Sequence, residues 1–353
     1  MLKEDIKKLL FDGTVIPAHP LALTRGLQLD EQKQRGLTRY YMASGAGGVA
    51  VGVHTTQFEI RDPEVNLFEK VLAIAAEEVA RAALERPFIK VAGICGLTGQ
   101  ALKEAEIAVK HGYDLGLVSM AAFKTQPESE IIAHVRKVAE VIPVFGFYLQ
   151  AAIGGRVYSY GFWQELAEIP NVYAIKVAAF NRYQTLDVVR AVAHSGRRDE
   201  IALYTGNDDN IVADLLTPYR FEIDGQIIEK RFVGGLLGHW AVWTEKAVEL
   251  LASVKQTLAT GYADAASMLA TNVAVTDMNA AIFDPAHAFH GCITGVHEVL
   301  RRQGLLEGIW TLNPSETLSP GQSEEITRVI AAYPHLVDDS FVARFLENEL
   351  NVI

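Results

Sequence analysis

Short apolar runs alternate with stretches whose apolar positions recur every three or four residues, up to about residue 258. This is the pattern of repeated strand and crossover-helix units. Eight runs read as strands, at 14–17, 48–53, 88–93, 115–119, 144–149, 172–177, 201–205 and about 236–239. Helical periodicity falls between them, for example at 30–44, 67–84, 99–111, 128–141 and 183–194. The strands are apolar throughout, as in a parallel sheet covered by helices on its outer face. Eight such units without a strong dinucleotide fingerprint predict an α/β fold in which the sheet closes into a (β/α)8 TIM barrel.

Two departures from the repeat set the domain organisation. Beyond 258 no further parallel strand is legible, and helical segments at 263–283, 286–302, 323–332 and 340–350 are separated by Pro-containing breakers such as Asp284-Pro285 and Asn313-Pro314. Residues 1–258 are therefore assigned to the barrel and 259–353 to a C-terminal helical extension. Within the barrel, alternation around Asp224-Gly225 marks a β-hairpin insertion near 219–232. Such a pair favours the tight turns of hairpins. Lying between the seventh helix and the eighth strand, the insertion belongs to the bottom of the barrel, where it braces the fold or an oligomer contact.

Composition narrows the function classes. With 32 Lys and Arg against 43 Asp and Glu, the net charge is −11, which repels nucleic acid and anionic membranes. The two cysteines, Cys95 and Cys292, stand in no metal-binding or redox spacing. No apolar run approaches the roughly 18 residues of a membrane span, and the first ten residues mix acids with bases, unlike a secretion signal. A cytoplasmic address follows as the expectation. Of two glycine-rich segments, 44–48 follows a helix and reads as its stop. The second, 93–99, follows a strand and is an ordinary βα turn more often than an anion site.

Barrel chemistry sits where strands end, so polar residues late in apolar strands are the candidates. Lys90 enters its strand, whereas Lys176 leaves one, with alternation placing it beside Val172 and Ala174 on the face assigned to the interior. Burial there favours the neutral amine, which can attack a carbonyl and form an imine that acts as an electron sink. A lysine paired with a neighbouring acid is the plainer alternative. The same alternation groups Val144, Gly146 and Tyr148, so that Tyr148 would face Lys176 and relay protons, or else simply pack. The second strand ends in His54-Thr55-Thr56, hydroxyls suited to a carboxylate or to capping a helix.

Taken together, the barrel, Lys176 and Tyr148 twenty-eight residues before it resemble the dihydrodipicolinate synthase and N-acetylneuraminate lyase family of class I pyruvate-type aldolases. The likeness runs over most of the chain. Segments 48–56 and 171–176 resemble the family's second strand and its Schiff-base strand, 204–208 its seventh-strand turn, and 301–320 the linker to its last helices. The resemblance implies Lys176 as the imine-forming residue, Tyr148 as the proton relay, and Thr55, Thr56, Gly206 and Asn207 around the substrate. It implies no cofactor beyond the covalent imine, a small 2-oxo acid as substrate, and a homo-dimer or homo-tetramer.

The sequence also departs from that family. Its Thr-Thr-Gly-Glu motif is here Thr55-Thr56-Gln57-Phe58, and an ungapped register puts His54 and Thr55 on the threonine pair. Its Asn-x-Pro after the tyrosine is here Leu149-Gln150-Ala151, and Ile153 stands where the synthases carry a substrate-binding arginine. The expectation is a divergent Schiff-base lyase, aldolase or dehydratase, on pyruvate or another 2-oxo acid, other than the lysine-pathway synthase. His19, His54 and His239 end the first, second and eighth strands and are expected to converge on the mouth as substrate-binding groups. Two alternatives remain open: a metal-dependent barrel hydrolase using His19, His54, His239 and Asp208, or a non-catalytic relative that binds a small ligand. A further histidine group, His287, His290 and His297, reads as a structural helix face.

Overall fold

A computed structural model describes residues 2–350. Eight parallel strands form one sheet: β1 (Val15–Pro17), β2 (Gly48–Val51), β3 (Ile89–Ile94), β4 (Leu115–Val118), β5 (Val144–Leu149), β6 (Val172–Ala178), β7 (Ala202–Thr205) and, after a two-stranded insertion of β8 (Tyr219–Ile223) and β9 (Gln226–Lys230), β10 (Phe232–Leu237). Their spatial order is β1-β10-β7-β6-β5-β4-β3-β2, and a parallel bridge between Ala18 and Ala50 brings β1 against β2. The sheet is therefore a nearly closed (β/α)8 TIM barrel, with helices on the outside and a helical region at its C-terminal end.

Inward side chains fill the barrel in layers, as the fold requires. Ile16, Ile89, Leu115, Phe145, Tyr204 and Leu236 belong to this inner cluster, and Leu2, Ile6 and Leu10 join it from an N-terminal helix, Glu4–Asp12, that closes the bottom. The Tyr204 hydroxyl donates to the Leu10 carbonyl at 2.9 Å, tying plug to barrel.

The hairpin forms as its turn chemistry dictates, with Asp224 and Gly225 both at positive φ (51° and 75°). The Lys230 ammonium donates to the Arg198 carbonyl ahead of β7, so the insertion sits at the bottom of the barrel, and none of its residues reaches the cavity at the other end. Among the described residues no helix is long and apolar enough to cross a membrane.

Candidate active site

At the C-terminal ends of the strands a cavity of about 740 Å³, counting the space open at its mouth, is lined by residues of the βα turns and closed from above by Phe283, Phe289 and Cys292 of the helical extension. Lys176 stands on its wall, near the end of β6. From Ala174 onward the strand keeps the inward parity, with Ala174 and Ala178 in the inner cluster and Ile175 and Val177 in the outer one. Val172, expected on the interior face, lies instead in the outer cluster, because the extra residue Tyr173 interrupts the pairing with β5. The ammonium nitrogen lies 4.7 Å from the Phe147 ring centroid, an apolar contact on one side. Burial drives this amine well below the ordinary lysine range, and only the charge of Asp208 opposes the shift.

Asp208 lines the same cavity. Burial pushes its carboxyl far above the usual range, against the pull of the His239 N–H and of Lys176. The turn that carries it is fastened to β6. Gly206 N–H donates to the Val177 carbonyl at 2.7 Å, and Phe180 N–H donates to Asn207 Oδ1 at 2.9 Å. Only glycine fits at 206, since a methyl there would lie 2.5 Å from Lys176 Cε and 2.9 Å from Ala178 Cβ. The turn thus presses directly on the lysine stem.

A single 3-10 turn, His54–Thr56, follows β2, and its three residues take different roles. His54 and Thr55 line the cavity, as the ungapped register of this segment requires. Burial first, then the charge of Lys176, lowers the His54 imidazole to about 4, so it is neutral at pH 7. Thr56 does not reach the cavity: its hydroxyl accepts from Gly52 N–H at 3.0 Å and donates to the His19 carbonyl at 2.6 Å. It is a local brace, the capping role that this residue type fills elsewhere.

Several expected site residues point elsewhere. Tyr148 faces outward, its ring 4.8 Å from that of Trp163 and 5.8 Å from that of Tyr158, and it is absent from the cavity wall. The reason is an irregular pairing of β5 with β6. Val144 pairs with Val172, but Phe145 pairs with Ala174, so Phe147 and not Tyr148 shares an inward register with Lys176. That slip reverses the face assigned to every β5 side chain.

His19 also turns outward, its ring held by the Thr38 hydroxyl at 2.9 Å and the Gln34 amide at 3.0 Å under the helix Glu31–Ala43. The His239 ring packs against Trp243 and approaches the Asn279 amide at 3.4 Å; only its backbone N–H serves the site, donating to Asp208 Oδ1 at 2.9 Å. Asn207 is buried and bonds Asp214 and Thr185, an anchor for the turn and no part of the wall. The three histidines therefore do not converge, and no group of three or more metal-ligating side chains is assembled among the described residues.

The cavity also holds residues that alternation had not singled out. Ser119 and Gln150, each just past the end of a strand, supply neutral hydrogen-bonding groups, and Cys95 supplies a thiol that burial pushes up to about 11. Their positions at strand exits were a usable signal. Phe283, Phe289 and Cys292, which come from a separate stretch of chain, gave none.

Comparison with known proteins adds to this geometry. No family model matches the chain. It is similar to a 4-hydroxy-tetrahydrodipicolinate synthase of Acaryochloris marina (strain MBIC 11017), 26% identical over 171 residues. That match covers 46% of this chain and 56% of the relative, so the chain spans little more than half the length of the curated relative it matches. Among solved structures, a dihydrodipicolinate synthase from Oceanobacillus iheyensis superposes with a TM-score of 0.73 at 17% identity, covering 94% of this chain and 100% of that one. An N-acetylneuraminate lyase from Fusobacterium nucleatum superposes with a TM-score of 0.70 at 16% identity, covering 92% and 99%. The fold is the one these two enzyme groups share, and the resemblance carried by the sequence motifs fits that fold, at low identity.

Proposed function

We propose that this chain is a Schiff-base-forming lyase, an aldolase or dehydratase, acting on pyruvate or another 2-oxo acid through Lys176, without a cofactor beyond the covalent imine. The observation that carries this reading is a buried lysine at the mouth of a barrel whose pKa is depressed by burial, on a strand wall that also presents a carboxyl group to the same cavity. Depression of the pKa raises the fraction of neutral amine at neutral pH, the form able to attack a carbonyl carbon. Attack by Nζ at C2 gives a carbinolamine, and loss of water gives an iminium that withdraws electrons from the bonds to C3. His54 and Thr55 belong to the wall and would bring neutral groups toward the substrate's carboxylate, the Thr55 hydroxyl turning from the His19 carbonyl to which it donates at 3.3 Å.

The remaining wall informs the class of substrate. Among the described residues Lys176 is the one lysine on it and no arginine lines it, while Phe58, Phe147, Leu149, Phe180, Phe283 and Phe289 supply large apolar surfaces. A second carboxylate would go unpaired there, at a cost of several kcal/mol, on the order of that for a buried unpartnered charge. The favoured substrate is therefore a 2-oxo monocarboxylate whose far end is uncharged and largely apolar, which also argues against the lysine-pathway synthase reaction.

Sodium borohydride added with pyruvate, or with 2-oxo acids of increasing apolar bulk, should inactivate the protein and add the mass of the reduced acid once per chain. Lys176→Ala should take up none. Equal labelling of the wild type and Lys176→Ala, or none with any 2-oxo acid, contradicts the proposal.

A further inference from the structure

We propose that Asp208 is the catalytic residue that moves the proton at C3 of the lysine-bound substrate, resting on the reading of Lys176 as the imine-forming amine. With Tyr148 outside the barrel, no tyrosine among the described residues lines the cavity, and the ionisable side chains among those that do are His54, Cys95, Lys176, Asp208 and Cys292. Burial holds both thiols above their usual range, so they stay protonated, and the His54 ring is too weakly basic to hold a proton at neutral pH. Asp208 remains. Its burial raises its basicity, which suits a group that must take and return a proton near pH 7.

Its placement carries the proposal further than its acidity. Oδ1 accepts from the His239 N–H, which fixes the carboxyl group. The turn bearing it is tied to β6, the strand of Lys176, by the bonds of Gly206 to Val177 and of Phe180 to Asn207. Amine and carboxyl are thus held on one rigid unit and face one cavity, which is the preorganisation that proton transfer requires. The charged and titratable groups that act on Asp208 are Lys176 from β6 and Asp209 on its own turn, and it in turn acts on Cys292 of the extension.

The steps balance without a co-reactant. Protonated Asp208 gives its proton to the carbinolamine hydroxyl, which leaves as water while the nitrogen lone pair forms the iminium. The Asp208 carboxylate then removes a C3 proton, and the C–H electrons form the C2–C3 double bond as the iminium becomes a neutral enamine. In the cleavage direction the carboxylate takes the C4 hydroxyl proton, the C3–C4 bond breaks, an aldehyde leaves, and the same carboxyl returns the proton to C3.

Exchange of the C3 hydrogens of pyruvate with deuterium oxide isolates this step, and borohydride trapping isolates imine formation. The wild type should exchange and be trapped. Asp208→Asn keeps the acceptor for the His239 N–H, and should still be trapped on prolonged incubation while exchanging about 100-fold more slowly or worse; Asp208→Glu should recover part of the loss. At saturating pyruvate the wild-type exchange rate should rise with pH through the neutral range, a measurement that stands even if Asp208→Asn does not fold. Exchange by Asp208→Asn within about threefold of wild type, or a wild-type profile flat above about pH 5 as His54 would give, overturns the assignment to Asp208 while leaving Lys176 in place. Failure to trap any wild-type adduct overturns the Lys176 reading, and this assignment with it.

Discussion

Replacing Gly206 with alanine tests whether the turn after β7 confines Lys176. The added methyl would sit 2.5 Å from Lys176 Cε and 3.0 Å from Cγ, with Ala178 Cβ at 2.9 Å on its other side. Carbon atoms pack at about 3.5–4 Å, so the lysine stem must move by about 1 Å or the turn must lift by as much. A displacement of that size at a reacting group costs on the order of 100-fold in rate. Overpacking of this kind costs about 1–3 kcal/mol in stability, which leaves the barrel folded. The expected outcome is a borohydride-trapping rate with pyruvate reduced about 100-fold in Gly206→Ala, with urea denaturation showing a cooperative transition shifted to lower concentration. Gly99→Ala serves as the control, because nothing lies within 4 Å of a methyl there. Trapping by folded Gly206→Ala at the wild-type rate would refute the claim that the lysine is positioned by this turn.

Tyr148→Phe removes a hydroxyl that faces Tyr158 and Trp163 outside the barrel, so steady-state turnover on a 2-oxo acid should stay within about twofold, whereas a proton relay would lose 100-fold or more. Thr55 and Thr56 should separate in kind. Thr55→Val, on the cavity wall, should raise KM for the 2-oxo acid, and Thr56→Val, a brace, should cost about 1–2 kcal/mol in urea denaturation with KM little changed. Burial lowers His19, His239 and His297 from 6.5 to about 4 each. The unfolded chain takes up those protons first, so stability present above pH 6.5 falls as pH drops through the window down to 4, by up to about 2 kcal/mol per histidine at pH 5. Equal denaturation midpoints at pH 7 and pH 5 would contradict that burial.

The barrel was legible because its strands are continuous apolar runs and its helices are amphipathic, two periods that announce themselves locally. Lys176 was legible for the same reason: a lysine near the exit of an apolar strand has few places to go. Tyr148 was not, because its face depends on how β5 pairs with β6, and the slip between Val144 and Phe145 leaves no mark in either strand's own alternation. Reasoning that small residues fill the interior also failed there, since Phe145 and Phe147 point inward and Gly146 does not. His19 and His239 were placed correctly at strand ends, but which way a side chain leaves the last residue of a strand is set by the helices waiting outside it, Glu31–Ala43 for His19 and Ala265–Phe283 for His239. The lid residues Phe283 and Phe289 join the site through packing of the extension over the mouth, a long-range contact with no local signature.

The central claim is that one particular amine, Lys176, carries the substrate. Mapping the peptides of protein reduced with borohydride in the presence of pyruvate tests it most directly. A single three-carbon modification on the nitrogen of Lys176, formed faster than at any surface lysine and reaching its plateau rate at a pH well below the ordinary lysine value of 10.5, is the predicted result. Modification scattered over exposed lysines, with Lys176 recovered unmodified, would contradict it.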